Sequence, residues 1–315
     1  MSRALRIGTR DSELALWQAQ TVRDRLEAAG HRAELVPVKS TGDLVLDKPL
    51  YELGITGIFT KTLDVALLRE DIDLAVHSMK DVPTALPEGI CQAAVLERAS
   101  ARDVLVHKGL GFLDGPGTIA TGSLRRKAQW LNRYPAHQVT GLRGNVNTRL
   151  KLLRENSWDG AIFAQAGLER IGLLPDNAEP LDWMLPAPAQ GAMLVVARTS
   201  DTAAREAARP LHHEQSALEV AVEREFLRTL EGGCSAPIGA RVHAADGQLH
   251  LEGGLYSLDG KKAFRVTRHT GSPEAGGTGD ARFQDAGDFG AACAREILDS
   301  GGAGLMESIR KILAQ

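Results

Sequence analysis

Along the first two thirds of the chain, short apolar runs rich in β-branched residues alternate with longer stretches of helical periodicity. Segments 5–9, 35–39, 74–79, 104–107, 118–121, 161–164 and 194–197 have the length and composition of strands, with room for helices between them. The clearest helix spans 12–29. There Leu14, Trp17, Ala19, Val22 and Leu26 mark one face, Asp11 or Ser12 can cap the start, and Gly30 can end it. Alternation of this kind predicts parallel sheets with helices on both faces. The pattern stops after Pro83, Pro87 and Gly89, restarts near 99–103, and breaks again at Pro186-Ala-Pro-Ala-Gln-Gly191, so crossings between two lobes fall there. Beyond Pro210 a strong helix at 213–230 leads to Gly232-Gly233-Cys234, and alternating runs at 249–256 and 264–268 precede two further helical patterns. The organisation read from these breaks is a first α/β lobe over 1–98, completed by 191–210, a second over 99–190, and a smaller α+β domain over 211–315. The polar, glycine-rich 271–277 reads as a surface loop.

Composition narrows the classes. The 315 residues are 43% hydrophobic and 24% charged, which is ordinary for a globular protein and excludes wholesale disorder. No apolar run reaches membrane-spanning length and the first residues lack a signal-peptide core, so a cytoplasmic, soluble monomer without a membrane partner is expected. A net charge of −3 argues against a nucleic-acid partner. Cys91, Cys234 and Cys293 form no C-x-x-C pair, which fits neither a disulfide framework nor a cysteine zinc site. His212-His213-Glu214 does not read as a metal site either, because adjacent residues point apart on a helix.

Charge becomes informative locally. The window 121–154 carries Arg125, Arg126, Lys127, Arg133, Arg143, Arg149, Lys151 and Arg154 without one Asp or Glu, in a chain that is acidic overall. A solvated basic face is one reading, and an anion site the other. For the second stand Gly122-Ser123 before Arg125-Arg126 and Arg143 before Gly144-Asn145, each placing arginine beside a helix start where unpaired N–H groups favour anions. Arginine binds carboxylate and phosphate alike. No phosphate-loop motif is present, which weakens nucleotide phosphate.

At 74–83 an apolar strand ends abruptly in His77, Ser78, Lys80 and Asp81 before a proline. Ligands of open α/β sheets gather beyond such strand ends, so Asp81 is a candidate catalytic acid, with a turn-capping aspartate as the plain alternative. His77 reads as a satisfied core histidine, or one that supports a neighbouring site residue, and not as a base. Arg10 and Ser12 likewise follow a strand and open a helix. Glu231-Gly-Gly-Cys234 holds a thiol on an adaptable loop, whereas Cys91 and Cys293 read as structural.

Taken in order, Arg10-Asp-Ser-Glu-Leu-Ala15 with Gln18, Ser40-Thr-Gly-Asp43, Ala75-Val-His-Ser-Met-Lys-Asp-Val-Pro83, Ser123-Leu-Arg-Arg126, Leu142-Arg-Gly-Asn145, Ala189-Gln-Gly-Ala192 and Glu231-Gly-Gly-Cys234 resemble the porphobilinogen deaminase family. Seven strings in the family's order, from about residue 5 to about residue 240, make the resemblance specific. It implies two lobes with mixed, mainly parallel sheets, similar to two-lobed anion-binding proteins, plus a smaller C-terminal α+β domain. It also implies a transferase of tetrapyrrole biosynthesis that polymerises four porphobilinogens and releases hydroxymethylbilane and ammonia. Its cofactor would be a dipyrromethane attached by a thioether to Cys234. The resemblance puts catalysis on Asp81 and cofactor binding on Lys80, Ser123, Arg125, Arg126, Asp43 and Thr121. It puts substrate binding on Arg10, Ser12, Arg143, Arg149, Arg170 and Gln190, with no metal. Two departures stand out: Glu52 and Thr56 replace lysines common in relatives, and Gly122 replaces a common serine. A polycarboxylate receptor would keep the lobes and arginines but leave Asp81 and Cys234 without a task; a phosphate-transfer enzyme lacks its phosphate loop.

Overall fold

Strands β1 (Leu5–Thr9), β2 (Ala33–Pro37), β3 (Leu74–Ser78) and β4 (Ile90–Val95) lie in one sheet, and β5 (Asp103–His107), β6 (Thr118–Ala120), β7 (Gln138–Thr140), β8 (Gly160–Ala164) and β9 (Ala178–Pro180) form another. Strand β10 (Met193–Arg198) returns to the first. This computed structural model describes residues 3–38, 60–231, 236–270 and 279–313, with the backbone alone from 279 to 287.

The sheet orders, β2-β1-β3-β10-β4 and β7-β6-β8-β5-β9, match position for position. In each, the first three strands are parallel and the fourth is reversed. The reversed strands, β10 and β5, are those by which the chain re-enters the first lobe and enters the second. Strand-and-helix alternation alone implies all-parallel sheets. The reversal comes from the crossings, which alternation does not record. Being central, β10 is buried at every residue, so it reads as one apolar run and not as an alternating one. The short edge strands β7 and β9, and β4 with Gln92 in its middle, leave no such run and escape the pattern. Strand β2 starts and ends two residues before the 35–39 expectation.

Helix α1 (Glu13–Ala28) is capped by Ser12, whose Oγ accepts from the Ala15 N–H, and Gly30 takes the left-handed conformation just past its end (φ 87°). With α6 (Thr202–Ala208) it covers one face of the first sheet, over Ile7, Leu74 and Val195. Helix α2 (Lys61–Leu68) and the N-terminal half of α7 (Glu214–Thr229) cover the other, over Ala75, Val95 and Leu194. In the second lobe α3 (Leu124–Arg133) buries Trp130 on one face, and α4 (Val146–Glu155) buries Leu150 and Leu153 on the other. The short helix α5 (Gln165–Arg170) follows β8.

Beyond α7, strands β11 (Ile238–Ala245), β12 (Gln248–Tyr256) and β13 (Ala263–His269) make an antiparallel sheet. Its core of Phe226, Ile238, Leu251 and Leu255 is closed by α8 (Gly279–Ile297) and α9 (Ala303–Leu313). His213 caps α7 through Nδ1, and His212 accepts from the Val95 N–H, so both histidines have backbone tasks. Cys293 is buried in this core, where burial pushes its thiol up to about 11; Cys91 lies on β4. No described helix is long and apolar enough to cross a membrane. The expectations for Asp43, Glu52, Thr56, Cys234 and the 271–277 loop lie outside the described residues.

Candidate active site

Four strand ends point the site residues toward the space between the lobes. Arg10 and Ser12 follow β1, and the single turn Met79–Asp81 follows β3. Thr121 and Ser123 follow β6, and Arg143 lies between β7 and α4. Arg10, Ser12, Gln18, His77, Ser78 and Asp81 line one pocket. Gln18 reaches across from α1 to hydrogen-bond Ser78 at 3.0 Å. The turn bearing Asp81 is tethered from behind: Arg224, on α7, donates to the carbonyls of Val82 (3.0 Å) and Pro83 (2.6 Å). Asp81 makes no ion pair among the described residues.

Lys80 and Arg149 are half-buried cations without an ion pair among the described residues. Burial pushes the Lys80 ammonium down to about 8, opposed by the nearby Asp81 charge. Arg149, on α4, is pushed down to about 10 by burial and then by Arg126, with Arg143 and Arg10 adding to the repulsion and Asp81 opposing it. Its Nε is spent on the Gly144 carbonyl at 2.7 Å. Burial also lowers Arg143. Five cations are thus connected with Asp81: Lys80 and Arg149 feel its charge, Arg10 lines the same pocket, and Arg126 and Arg143 repel Arg149. Arg170 is set apart: it is the last residue of α5, donates to the Gly191 carbonyl at 2.6 Å, lies over the Trp17 ring, and burial brings it down to about 10.

For Arg125 and Arg126 the acid-free window misleads. Asp103, at the start of β5 and outside that window, is fully buried. It accepts from Arg125 Nη1 at 2.7 Å and from Arg126 Nε and Nη2 at 3.1 and 2.7 Å. Burial alone would raise its carboxyl, but the two guanidiniums outweigh it and hold Asp103 well below the usual carboxylate range. Two cations on one carboxylate leave a positive remainder. Gln190 extends the network by donating to Asp103 Oδ1 at 2.8 Å and accepting from Lys80 at 3.4 Å. Thus the Lys80 turn of the first lobe and the Arg125–Arg126 start of α3 are linked through the second crossing.

The signals missed in the sequence are Asp103 and the pairing of Arg98 with Glu223. An acid opening an apolar strand directly after a crossing was the available sign of the first. For Arg98 and Glu223, 125 residues apart, there was none. His77 corrects an expectation as well. It is 6% exposed, yet Nε2 has no hydrogen-bond partner among the described residues, so it is buried but not satisfied. Gly122 also gains a cause: a Cβ there would stand 2.4 Å from the Leu142 carbonyl oxygen, so serine cannot occupy this backbone unshifted. Thr121 Oγ1 accepts from the Ser123 N–H at 3.2 Å, and Ser123 caps α3.

Residues 5–206 match the model described as porphobilinogen deaminase, dipyromethane cofactor binding domain, and residues 217–299 match the C-terminal domain model of that enzyme. The chain is 43% identical to a porphobilinogen deaminase from Syntrophobacter fumaroxidans, over 98% of both chains. It is 40% identical to the chloroplastic porphobilinogen deaminase of Oryza sativa, over 97% of this chain and 86% of that one. A solved periplasmic substrate-binding protein from Coxiella burnetii superposes with a TM-score of 0.41 at 13% identity, covering 70% of this chain and 96% of that one. By both domain models and by relatives matched over nearly the whole length, the chain belongs to the porphobilinogen deaminase family.

Proposed function

We propose that this chain joins four porphobilinogen molecules head to tail, releasing hydroxymethylbilane and ammonia, on a dipyrromethane held by a thioether at Cys234. The observation that carries the reading is Asp81, a carboxylate with no ion pair among the described residues, whose charge acts on Lys80 and Arg149 and which shares its pocket with Arg10. Porphobilinogen bears an acetate and a propionate, so each addition brings two negative charges, and these cations offer their counter-charge. The half-buried Lys80 and Arg149, with no carboxylate paired to them among the described residues, fit a polycarboxylate such as dipyrromethane. Lys80, Thr121, Ser123, Arg125, Arg126 and Asp43 would hold that group; Arg10, Ser12, Arg143, Arg149, Arg170 and Gln190 would hold the incoming substrate.

When bound, dipyrromethane supplies the free pyrrole carbon to which the first unit is joined. Asp81 does the rest of the chemistry that this chain provides. Placed beside the substrate's pyrrole nitrogen, its charge stabilises the cation that develops as ammonia leaves, and its oxygen then takes the proton from the attacked carbon. The substrate's aminomethyl group is already an ammonium, so no strong acid is needed. Lys80 keeps its charge below about pH 8 and so offers a cation to the ligand carboxylates. Arg224 holds the turn that aims both residues. The working unit in this reading is a cytoplasmic monomer with lobes 1–98 plus 191–210 and 99–190, and a third domain, 211–315, that carries the cysteine.

Intact mass tests the anchor. The purified chain should exceed its sequence mass by one dipyrromethane unit. Cys234→Ser should lack that adduct and be inactive, while Cys91→Ser and Cys293→Ser should retain it. An adduct persisting on Cys234→Ser would remove the anchor from Cys234, and absence of ammonia release from porphobilinogen by the unaltered protein would overturn the function.

A further inference from the structure

We infer that His77 binds substrate: this buried residue lines the pocket that Arg10 also lines, Nε2 of its imidazole has no hydrogen-bond partner among the described residues, and from Nε2 it donates a hydrogen bond to a side-chain carboxylate of the incoming pyrrole. This rests on the reading of the pocket as the porphobilinogen site.

The position is one where a polar ring has no structural reason to be. His77 shares its face of β3 with Ala75 and Met79, both in an apolar core, and the residues of the opposite face, Val76 and Ser78, point toward α1. An isosteric apolar side chain would fill the space without leaving a buried nitrogen unsatisfied, a state that costs free energy unless a partner arrives. The imidazole does not supply a charge, since burial, reinforced by the Arg10 cation, pushes it down to about 4. It is therefore a neutral group with one donor to give. Arg10 decides which ligand group can accept it, because a guanidinium close enough to depress the imidazole also repels the substrate's ammonium and attracts its carboxylates. A carboxylate already balanced by Arg10 and Ser12 gains a further hydrogen bond from His77 without a second cation being buried beside it. Neutral donors of this kind add geometric selectivity, discriminating an acid side chain at that spot from an ester or an alkyl group of similar size.

The test uses the adduct-bearing protein, with intact mass verified for each variant. His77→Leu should raise the KM for porphobilinogen about ten- to a hundredfold while lowering the rate of ammonia release at saturation by much less. His77→Gln, which keeps an N–H donor, should recover most of the loss. Porphobilinogen esterified at the partnered side chain should bind the unaltered protein worse than the free acid, and His77→Leu should narrow that difference to the part that Arg10 and Ser12 contribute; an unchanged difference would overturn the assignment. An unchanged KM in a folded His77→Leu that turns over porphobilinogen would overturn the assignment. So would equal loss in the Gln and Leu variants, which would mark a packing role. Should His77→Leu fail to fold, the 15N resonance of Nε2 in the unaltered protein decides: it should shift when porphobilinogen is added, and a resonance that stays in place would overturn the inference. These outcomes are separate from the functional reading, which fails only if the unaltered protein does not act on porphobilinogen.

Discussion

Asp81 and Asp103 lie one network apart and have opposite surroundings. Asp103 is fully buried and grips two guanidiniums; Asp81 lines the pocket, forms no ion pair among the described residues and sits on a turn that Arg224 holds through the carbonyls of Val82 and Pro83. Charge at Asp103 serves the fold, and charge at Asp81 is available for chemistry. Asp81→Asn keeps size and hydrogen-bonding capacity while removing that charge, so ammonia release in a single turnover should fall about a hundredfold, equivalent to ~3 kcal/mol. Thermal unfolding should change little. A normal rate combined with a large loss of stability would return Asp81 to the role of a turn cap. Asp103 also shows why the arginine window reads as anion-seeking: counting charges along a segment cannot find a partner that arrives from the previous strand.

Elements α3 and α4 start alike. Each follows a strand end with glycine and then a capping side chain, Ser123 or Asn145, accepting from a backbone N–H of the first turn. Capping is local chemistry, so these starts are visible in the sequence. What is not visible is that the two starts press together: Gly122, ahead of α3, meets the Leu142 carbonyl, ahead of α4, at a distance that excludes a side chain. Gly122→Ala would force backbone apart ahead of both helices. It should cost roughly 1–3 kcal/mol of stability by overpacking, and it should weaken porphobilinogen binding because Arg143 and Ser123 move with their strand ends. A variant with unchanged thermal unfolding would show that the close approach is not maintained.

At the scale of the molecule, one carboxylate joins all three units. Glu223, fully buried on α7, accepts from Arg98 Nη1 and Nη2 at 2.7 and 3.0 Å in the first crossing. It also accepts from the Ala189 N–H at 2.6 Å in the second crossing and the Val242 N–H at 2.7 Å in the C-terminal sheet. Arg98 in turn donates through Nε to the Gln190 carbonyl at 2.9 Å. Ala189 takes a left-handed conformation (φ 63°), unusual for a side chain with a Cβ and held here by the bond to Glu223. Glu223→Gln leaves the buried Arg98 with only Glu219, 4.0 Å away, to balance its charge, so stability should drop by about 3 kcal/mol, the low end for a broken buried pair. Unfolding followed by calorimetry should broaden or split as the units uncouple. A single, unshifted transition would show that the junction is held by other contacts.

The local rules written in the chain determined most of the elements: apolar run length for the central strands, and periodicity with its caps for α1 and α7. They also determined the chemistry at strand ends, because residues that terminate a parallel strand face the same edge wherever the strand sits in its sheet. Tertiary structure alone decided the reversed strands β5 and β10, since alternation records the order of elements and not their direction. It decided, too, that two of the eight window cations are paired with Asp103 and that Nε2 of His77 is buried with no hydrogen-bond partner among the described residues. Each of these depends on which side chains meet across sequence separations that no local pattern encodes. The charge of Asp81 acts on Lys80 from one lobe and on Arg149 from the other, a meeting that exists only once the two lobes come together.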